Sequence, residues 1–232
     1  AKYFKNMVEH VDQLVGRIAS KVDELGLSEN TLIVFTGDNG TDVPVVTSLN
    51  GKSVAGGKGK ANHDSGVRTP FFVTMPGTVQ AGKVSDELVD FSDLLPTFCE
   101  LAKIDTSENK NLDGVSLLPT LIGKGERKKP WSYLFYSRND ATQPASSVVV
   151  RNATHLVYRK GGPDKKIEFF DCSIPYARKL QKPSDLSDNE RKVFAELSSV
   201  MKRYDTQYQS DLSKDAVQQW QKKTKAGKKK KK

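Results

Sequence analysis

An aspartate and an asparagine, Asp38 and Asn39, stand directly after the apolar run Thr31 to Thr36, and a lysine, Lys58, follows in the glycine-rich stretch GGKGKANHDSGVRTP. One carboxylate and one amide oxygen side by side suit a hard cation, Ca2+ or Mg2+, better than zinc. An ammonium group in a flexible loop supplies the point charge an anionic substrate needs. An isolated Asp-Asn-Gly is ordinarily a turn, and two oxygens alone cannot hold such an ion. The companion loop is what makes the pair a candidate site. Within that loop Lys60 is the second choice for the role of Lys58, and His63 is a candidate proton donor or anion contact near neutral pH. Arg68 reads as a tie to an acidic partner.

These residues need elements to position them. Apolar residues Met7, Val11, Leu14, Val15, Ile18, Val22 and Leu25 recur at intervals of three and four, which predicts a helix over residues 3–25 ended by Gly26. Thr31 to Thr36 is β-branched and aromatic enough for a central strand, and a helix followed by a strand suits a crossover in a parallel sheet. Residues 37–69 show little periodicity and much Gly, Asn, Asp, Ser and Lys, the texture of a long functional loop. Phe71 to Met75 reads as the neighbouring strand, closed by Pro76-Gly77, and residues 91–103 as a helix capped by Ser92 or Asp93. Past Gly123 the short β-prone runs 132–136, 147–151, 155–159 and 166–170 suggest an antiparallel meander, followed by a helix over 189–204. Trp131, Tyr133, Phe135 and Tyr136 read as sheet packing rather than a substrate cleft.

The 232 residues carry a net charge of +9, yet eight lysines lie in residues 222–232 and leave the rest nearly neutral. The charge therefore marks a solvated tail and no specific nucleic-acid partner. No apolar run approaches the length a bilayer requires, so no transmembrane segment is expected. The amino end, AKYFKNMVEH, has neither an initiator Met nor a secretory apolar region and reads as a cut. Cys99 and Cys172 lack metal-ligand spacing and are either buried thiols or one bridge. Asn152-Ala-Thr is a glycosylation sequon of consequence only in a secreted eukaryotic product, and Asn39-Gly-Thr is a second whose place in the candidate site argues against modification.

TLIVFTGDNG, GKGKANHDSGVRTPFFVTMPG and LVDFSDLLPTFCELAKI, in this order, resemble the later half of a formylglycine-dependent (type I) sulfatase, an arylsulfatase-like branch of the alkaline-phosphatase-like superfamily. YFKNMVEHVDQLVGRI is similar to the helix before that family's metal strand, and SVVVRNATHLVYRK with IEFFDC to its carboxyl-terminal sheet. The resemblance implies an α/β fold: an alkaline-phosphatase-like sandwich with a central, mostly parallel sheet, present in part, plus a smaller carboxyl-terminal antiparallel sheet and helix. It implies domains at 1–124 (catalytic portion), 125–210 (antiparallel α+β) and 211–232 (lysine-rich tail).

Carried over position by position, the resemblance makes Asp38 and Asn39 calcium ligands, with Mg2+ the alternative, and Lys58 the sulfate-binding cation. The substrate implied is a sulfate ester, of the sulfated-carbohydrate kind among others, and the other partner is the remainder of the catalytic domain. Export to periplasm, lysosome or cell exterior is implied likewise. Where the family has Glu-Gly-Gly before Val-Arg, this chain has Asp64-Ser65-Gly66. Its nucleophile, a formylglycine made within Cys/Ser-x-Pro-x-Arg, has no match here: Ser173-Ile-Pro-Tyr-Ala-Arg178 puts Arg one residue late, and Cys172 has Ile two positions on. The family's amino-terminal paired aspartates have no match either. The chain is therefore expected to be the carboxyl-terminal piece of a longer enzyme rather than a homologue that has lost turnover, binding metal weakly and inactive alone. Two other readings stay open: a phosphate or phosphonate ester hydrolase of the same superfamily, and a non-catalytic binder of sulfated polymers acting through the lysine tail.

Overall fold

The computed structural model describes residues 2–109, 111–125, 127–136 and 147–211. The chain divides into two compact units, residues 1–132 and 133–232. The lysine stretch 222–232, on which the reading as a binder of sulfated polymers falls, lies outside the described residues.

The first unit begins with helix α1 (Lys2–Glu24), where Gly26, at φ +67°, ends the helical path. Much of its apolar stripe faces outward: Met7, Val8, Val11, Leu14 and Ile18 are exposed, while Val15 and Val22 are half-buried. Strand β1 (Ile33–Thr36) follows. Residues 37–69, expected to be structureless, contain a hairpin, β2 (Val46–Leu49) and β3 (Lys52–Ala55), and a single helical turn, α2 (Asp64–Val67). The hairpin pairs Leu49 with Lys52 across Asn50-Gly51, both at positive φ (49° and 77°), which is the two-residue connection whose twist matches paired strands. Asn-Gly was its sequence signal.

Strand β4 (Phe71–Thr74) pairs with β1 from Ile33↔Thr74 to Thr36↔Phe71, antiparallel. The α/β class holds, and within the mostly parallel sheet expected this pair is antiparallel. Parallel neighbours need a crossover that carries the chain back to the starting end. The segment between β1 and β4 instead folds up beside the end of β1 and enters β4 from that same end. The parallel strands of the sequence reading are not among the described residues.

Beyond β4 the first unit is held by charge. A 3-10 turn at Phe91–Asp93 leads into α3 (Leu94–Leu101) and a further helical turn, α4 (Leu118–Leu121). Asp90 caps the 3-10 turn, its Oδ1 accepting the Ser92 N–H while its own N–H donates to Asp93 Oδ2 at 3.0 Å, and Asp93 holds the N-cap position of α3 without a side-chain cap bond. Asp93 has no exposed surface. Lys129 Nζ lies 2.5 Å from its Oδ1 and Arg127 Nη1 3.0 Å from its Oδ2, and the Val115 N–H donates to Oδ1. Arg127 also meets Glu87 at 3.1 Å, and Lys129 meets Asp90 at 2.8 Å. Burial by itself would raise the Asp90 carboxyl, but bonds from Lys129 and Ser92 hold it below the usual carboxylate range. Its contribution to stability is present above that range and lost as pH falls through the depressed value.

The second unit is an antiparallel meander in sequence order, β5 (Ser132–Tyr136), β6 (Ser147–Arg151), β7 (His155–Lys160), β8 (Ile167–Asp171) and β9 (Lys179–Gln181), with helix α5 (Asp188–Asp211) packed on β6 and β7. The register sets Val150, Val157 and Phe169 side by side on one face. Phe169 meets Phe194 edge-on at 5.4 Å, and Leu197 and Met201 are buried. Arg159 closes this face with a two-pronged pair to Asp205, 2.5 and 2.7 Å. Tyr133 stacks on Tyr204 at 4.2 Å, the packing role expected of it. Both Cys99 and Cys172 are free thiols.

Removing Asp93 would take from the buried side chains of Arg127 and Lys129 one carboxylate partner each, leaving Glu87 and Asp90 as the partners that remain. Asp93→Ala is expected to cost on the order of 3–5 kcal/mol, read as a lowered urea midpoint at neutral pH. A loss below about 1 kcal/mol would mean the cluster behaves like a surface pair.

Candidate functional site

Strand β1 ends at Thr36, whose hydroxyl lies 3.4 Å from that of Thr69 just before β4. Asp38 and Asn39 form a bend immediately beyond Gly37, Asp38 exposed and Asn39 half-buried. They therefore sit at the carboxyl end of a strand, as read from the sequence.

The bend is fastened to the lysine loop by backbone bonds. Gly40 N–H donates to the Gly66 carbonyl at 2.8 Å. The Thr41 carbonyl accepts both the Gly57 and the Lys58 N–H, each at 3.0 Å. The chain then winds on itself: Lys60 N–H donates to Gly57 O, His63 N–H to Lys60 O, Gly66 N–H to His63 O and Arg68 N–H to Asp64 O. Residues 38–41, 56–60 and 63–66 thus form one knot of backbone.

Such a crossing requires residues without a Cβ. A Cβ on Gly40 would fall 1.9 Å from the Ser65 carbonyl oxygen, and one on Gly57 would fall 2.3 Å from Ser65 Oγ and 2.7 Å from the Gly66 nitrogen. No rearrangement of a flexible side chain relieves the first contact, because the obstacle is main chain.

The predicted site residues fall around this knot. Lys58 and Lys60 are exposed, and His63 is half-buried at the amino end of α2. Asp64, the residue standing where Glu is expected, is buried, and Arg68 Nη1 lies 4.0 Å from its Oδ2. That is the acidic tie foreseen for Arg68, although at 4.0 Å, with the Arg68 side chain half exposed, it contributes little. Among the described residues no group of three or more His, Cys, Asp or Glu is placed to hold a metal ion. Asp38 and Asn39 offer one carboxylate and one amide oxygen, a donor set that fits part of a hard-cation shell and not a whole one.

Ser173, in the nearest match to the aldehyde-forming motif, is occupied in the second unit. Its N–H and hydroxyl both donate to Asp171 Oδ1, at 2.9 and 2.7 Å, and these bonds hold the Asp171 carboxyl below its usual range. The feature missed by sequence reading is the hairpin β2–β3, which leaves the knot between Thr41 and Gly56: Val45 N–H donates to Asp42 O, and Gly56 N–H to Val45 O.

Residues 2–104 match the family model described as Sulfatase, and residues 59–173 match that described as N-sulphoglucosamine sulphohydrolase, C-terminal. The chain is 36% identical over 143 residues to steryl-sulfatase of Homo sapiens, covering 59% of this chain and 24% of that protein. It is 33% identical over 140 residues to N-acetylgalactosamine-6-sulfatase of Canis lupus familiaris, covering 59% and 26%. It thus spans about a quarter of the length of these curated relatives. A protein solved in complex with its substrate D-glucosamine-2-N,6-O-disulfate shares the fold, with a TM-score of 0.62 at 19% identity over 88% of this chain and 40% of that one.

Gly40→Ala is expected to open the knot, speeding amide hydrogen exchange at Gly57 and Lys58, whose N–H groups both depend on Thr41. Gly16→Ala on α1, where nothing lies within 4 Å of the added carbon, is the control and should leave exchange there unchanged. Equal exchange in both variants would show that the crossing tolerates a side chain.

Proposed function

This chain belongs to the sulfatase family, and from that premise we propose that it supplies part of the metal site and the anion-binding lysine of an enzyme that hydrolyses sulfuric esters. The observation carrying the reading is the double acceptance at the Thr41 carbonyl, which fastens the backbone of Lys58 to the loop bearing Asp38 and Asn39.

Asp38 and Asn39 would contribute two of the oxygen ligands of a Ca2+ ion, with Mg2+ the alternative, the remainder coming from outside residues 1–232. The ion, when bound, would polarise the sulfuryl oxygens as a Lewis acid. Lys58 contributes an ammonium charge to the same anion, stabilising negative charge as it builds on the sulfuryl oxygens and on the leaving oxygen. Lys60, two residues on and exposed, is the second choice for that role. His63 is the candidate to give a proton to the leaving oxygen, a role suited to an imidazole near neutral pH. Lacking Cys/Ser-x-Pro-x-Arg, the chain leaves the attacking group, a formylglycine in this reading, to a part of the enzyme not represented here.

The same dependence gives the exposed stripe of α1 a partner: the sheet of the remaining catalytic domain. Among the described residues no helix is long and apolar enough to cross a membrane. The proposal includes an exported enzyme, on family resemblance. A phosphate or phosphonate ester hydrolase would use the same two oxygens and lysine, so the ester cleaved decides between them.

In the full-length enzyme Lys58→Ala is expected to lower kcat on an aryl sulfate by on the order of 10²-fold, with Lys60→Ala close to wild type. Asp38→Ala should raise the Ca2+ concentration needed for half-maximal activity. Retained activity in Lys58→Ala with loss in Lys60→Ala would move the role to Lys60, and faster cleavage of the matching aryl phosphate would replace the sulfatase reading.

Residues 1–232 alone are expected to bind Ca2+ weakly and to release no sulfate from an aryl sulfate. Turnover by the purified chain would overturn the division of the site.

A further inference from the structure

The hairpin β2–β3 has no core of its own. Seven of its eight strand residues are exposed, Val54 alone being half-buried, so both faces of the ribbon are open. An unpacked two-stranded ribbon is marginal in water, yet this one carries two constraints. Its Asn50-Gly51 connection presets the strand twist, and its register is complete from Val46↔Ala55 to Leu49↔Lys52.

Its roots lie in the knot. The strand leading in follows Thr41, whose carbonyl holds Lys58, and the strand leading out ends at Gly56, directly before Gly57 and Lys58. A Cβ on Gly56 would fall 2.0 Å from the Asp42 carbonyl oxygen, so the two roots cross in contact. The ribbon is therefore an arm anchored between the proposed metal ligands and the proposed sulfate-binding lysine. Each strand reaches about 13 Å at the usual rise per residue.

The surface of the arm is specific in kind. Alternation puts Val46, Ser48, Ser53 and Ala55 on one face, and Thr47, Leu49, Lys52 and Val54 on the other. Hydroxyls, short aliphatic groups and one ammonium are mixed on it, without an aromatic ring. A flat hydrocarbon skeleton asks for broad apolar or aromatic area. A sugar ring presents C–H patches beside hydroxyls, and a further sulfate or carboxylate on it would meet Lys52.

We propose that β2–β3 is the specificity arm of the site and binds the carbohydrate part of a sulfated oligosaccharide whose scissile sulfate lies at Lys58. On the face that carries Thr47, Leu49, Lys52 and Val54, Leu49 packs against ring C–H groups, the Thr47 hydroxyl exchanges hydrogen bonds with ring hydroxyls, and Lys52 pairs with a second anionic group. This assignment rests on the sulfatase reading above. A small aryl sulfate has no such extension and should not need the arm.

The test compares two substrates in the full-length enzyme, a small aryl sulfate and a sulfated oligosaccharide. The variants are Lys52→Ala, Leu49→Ser and a form with residues 46–55 replaced by a short Gly-Ser turn. The expected result is a fall of roughly tenfold or more in kcat/KM for the oligosaccharide, with less than about a twofold change for the aryl sulfate. The point variants leave the roots intact, so the test does not depend on folding of the shortened form. Equal effects on both substrates, or none on either, would overturn the arm. A wild-type enzyme that cleaves the aryl sulfate but not the oligosaccharide would overturn the ligand class. Cleavage of neither would sink the sulfatase reading, and this assignment with it.

Discussion

A single carbonyl oxygen carries the arrangement of the site. Thr41 O accepts two successive N–H groups, from Gly57 and Lys58, and both bonds are 3.0 Å long. The proposed cation and metal ligands come from loops without cores of their own, so packing cannot set their spacing. Backbone bonds can, because they act on the main-chain atoms from which the side chains spring. The arrangement is sensitive for the same reason: at Gly40 and Gly57 a single added carbon meets main chain below 3 Å.

The two units keep their shape by different means. In the second, Val148, Val150, Val157, Leu197 and Met201 form an apolar core under α5, and the Arg159–Asp205 pair closes its side. Among the described residues of the first, Ala61 and Leu117 are the buried apolar side chains, whereas Asp93, Arg127 and Lys129 form a buried cluster of opposite charges. A charge cluster fixes geometry without adding much net stability, since desolvation offsets most of the attraction. A unit built this way leaves Met7, Val11 and Ile18 of α1 exposed, an apolar stripe of the kind that marks a contact surface.

What could be read from the chain followed the strength of its periodicity. The stripe of α1, the β-branched run of β1 and the meander from β5 to β8 were legible, because each repeats at the spacing its backbone imposes. The antiparallel sense of β1 and β4 was not: it depends on how residues 37–70 return, and those residues carry no helical period to imply a crossover or its absence. The hairpin inside them was legible in principle, through Asn50-Gly51, but Ser, Lys and Ala on exposed strands blur the alternation. Asp38, Asn39 and Lys58 stood out by chemistry and by family resemblance. The knot that ties their loops together is made of main-chain bonds, which side-chain identity does not encode, although the glycines that permit it are plain in the sequence.

The departures at Asp64 and Ser65 show which of these bonds the loop depends on. A carboxylate one methylene shorter than the expected Glu leaves Arg68 at 4.0 Å, with the arginine side chain half exposed, where the pair contributes at most about 1 kcal/mol. Ser65 adds a hydroxyl where Gly is expected, and that hydroxyl fills the space against Gly57. Neither change touches the Gly40–Gly66 bond or the two bonds to Thr41. Gly40 and Gly57 leave no room for a side chain, because what faces them there is main chain.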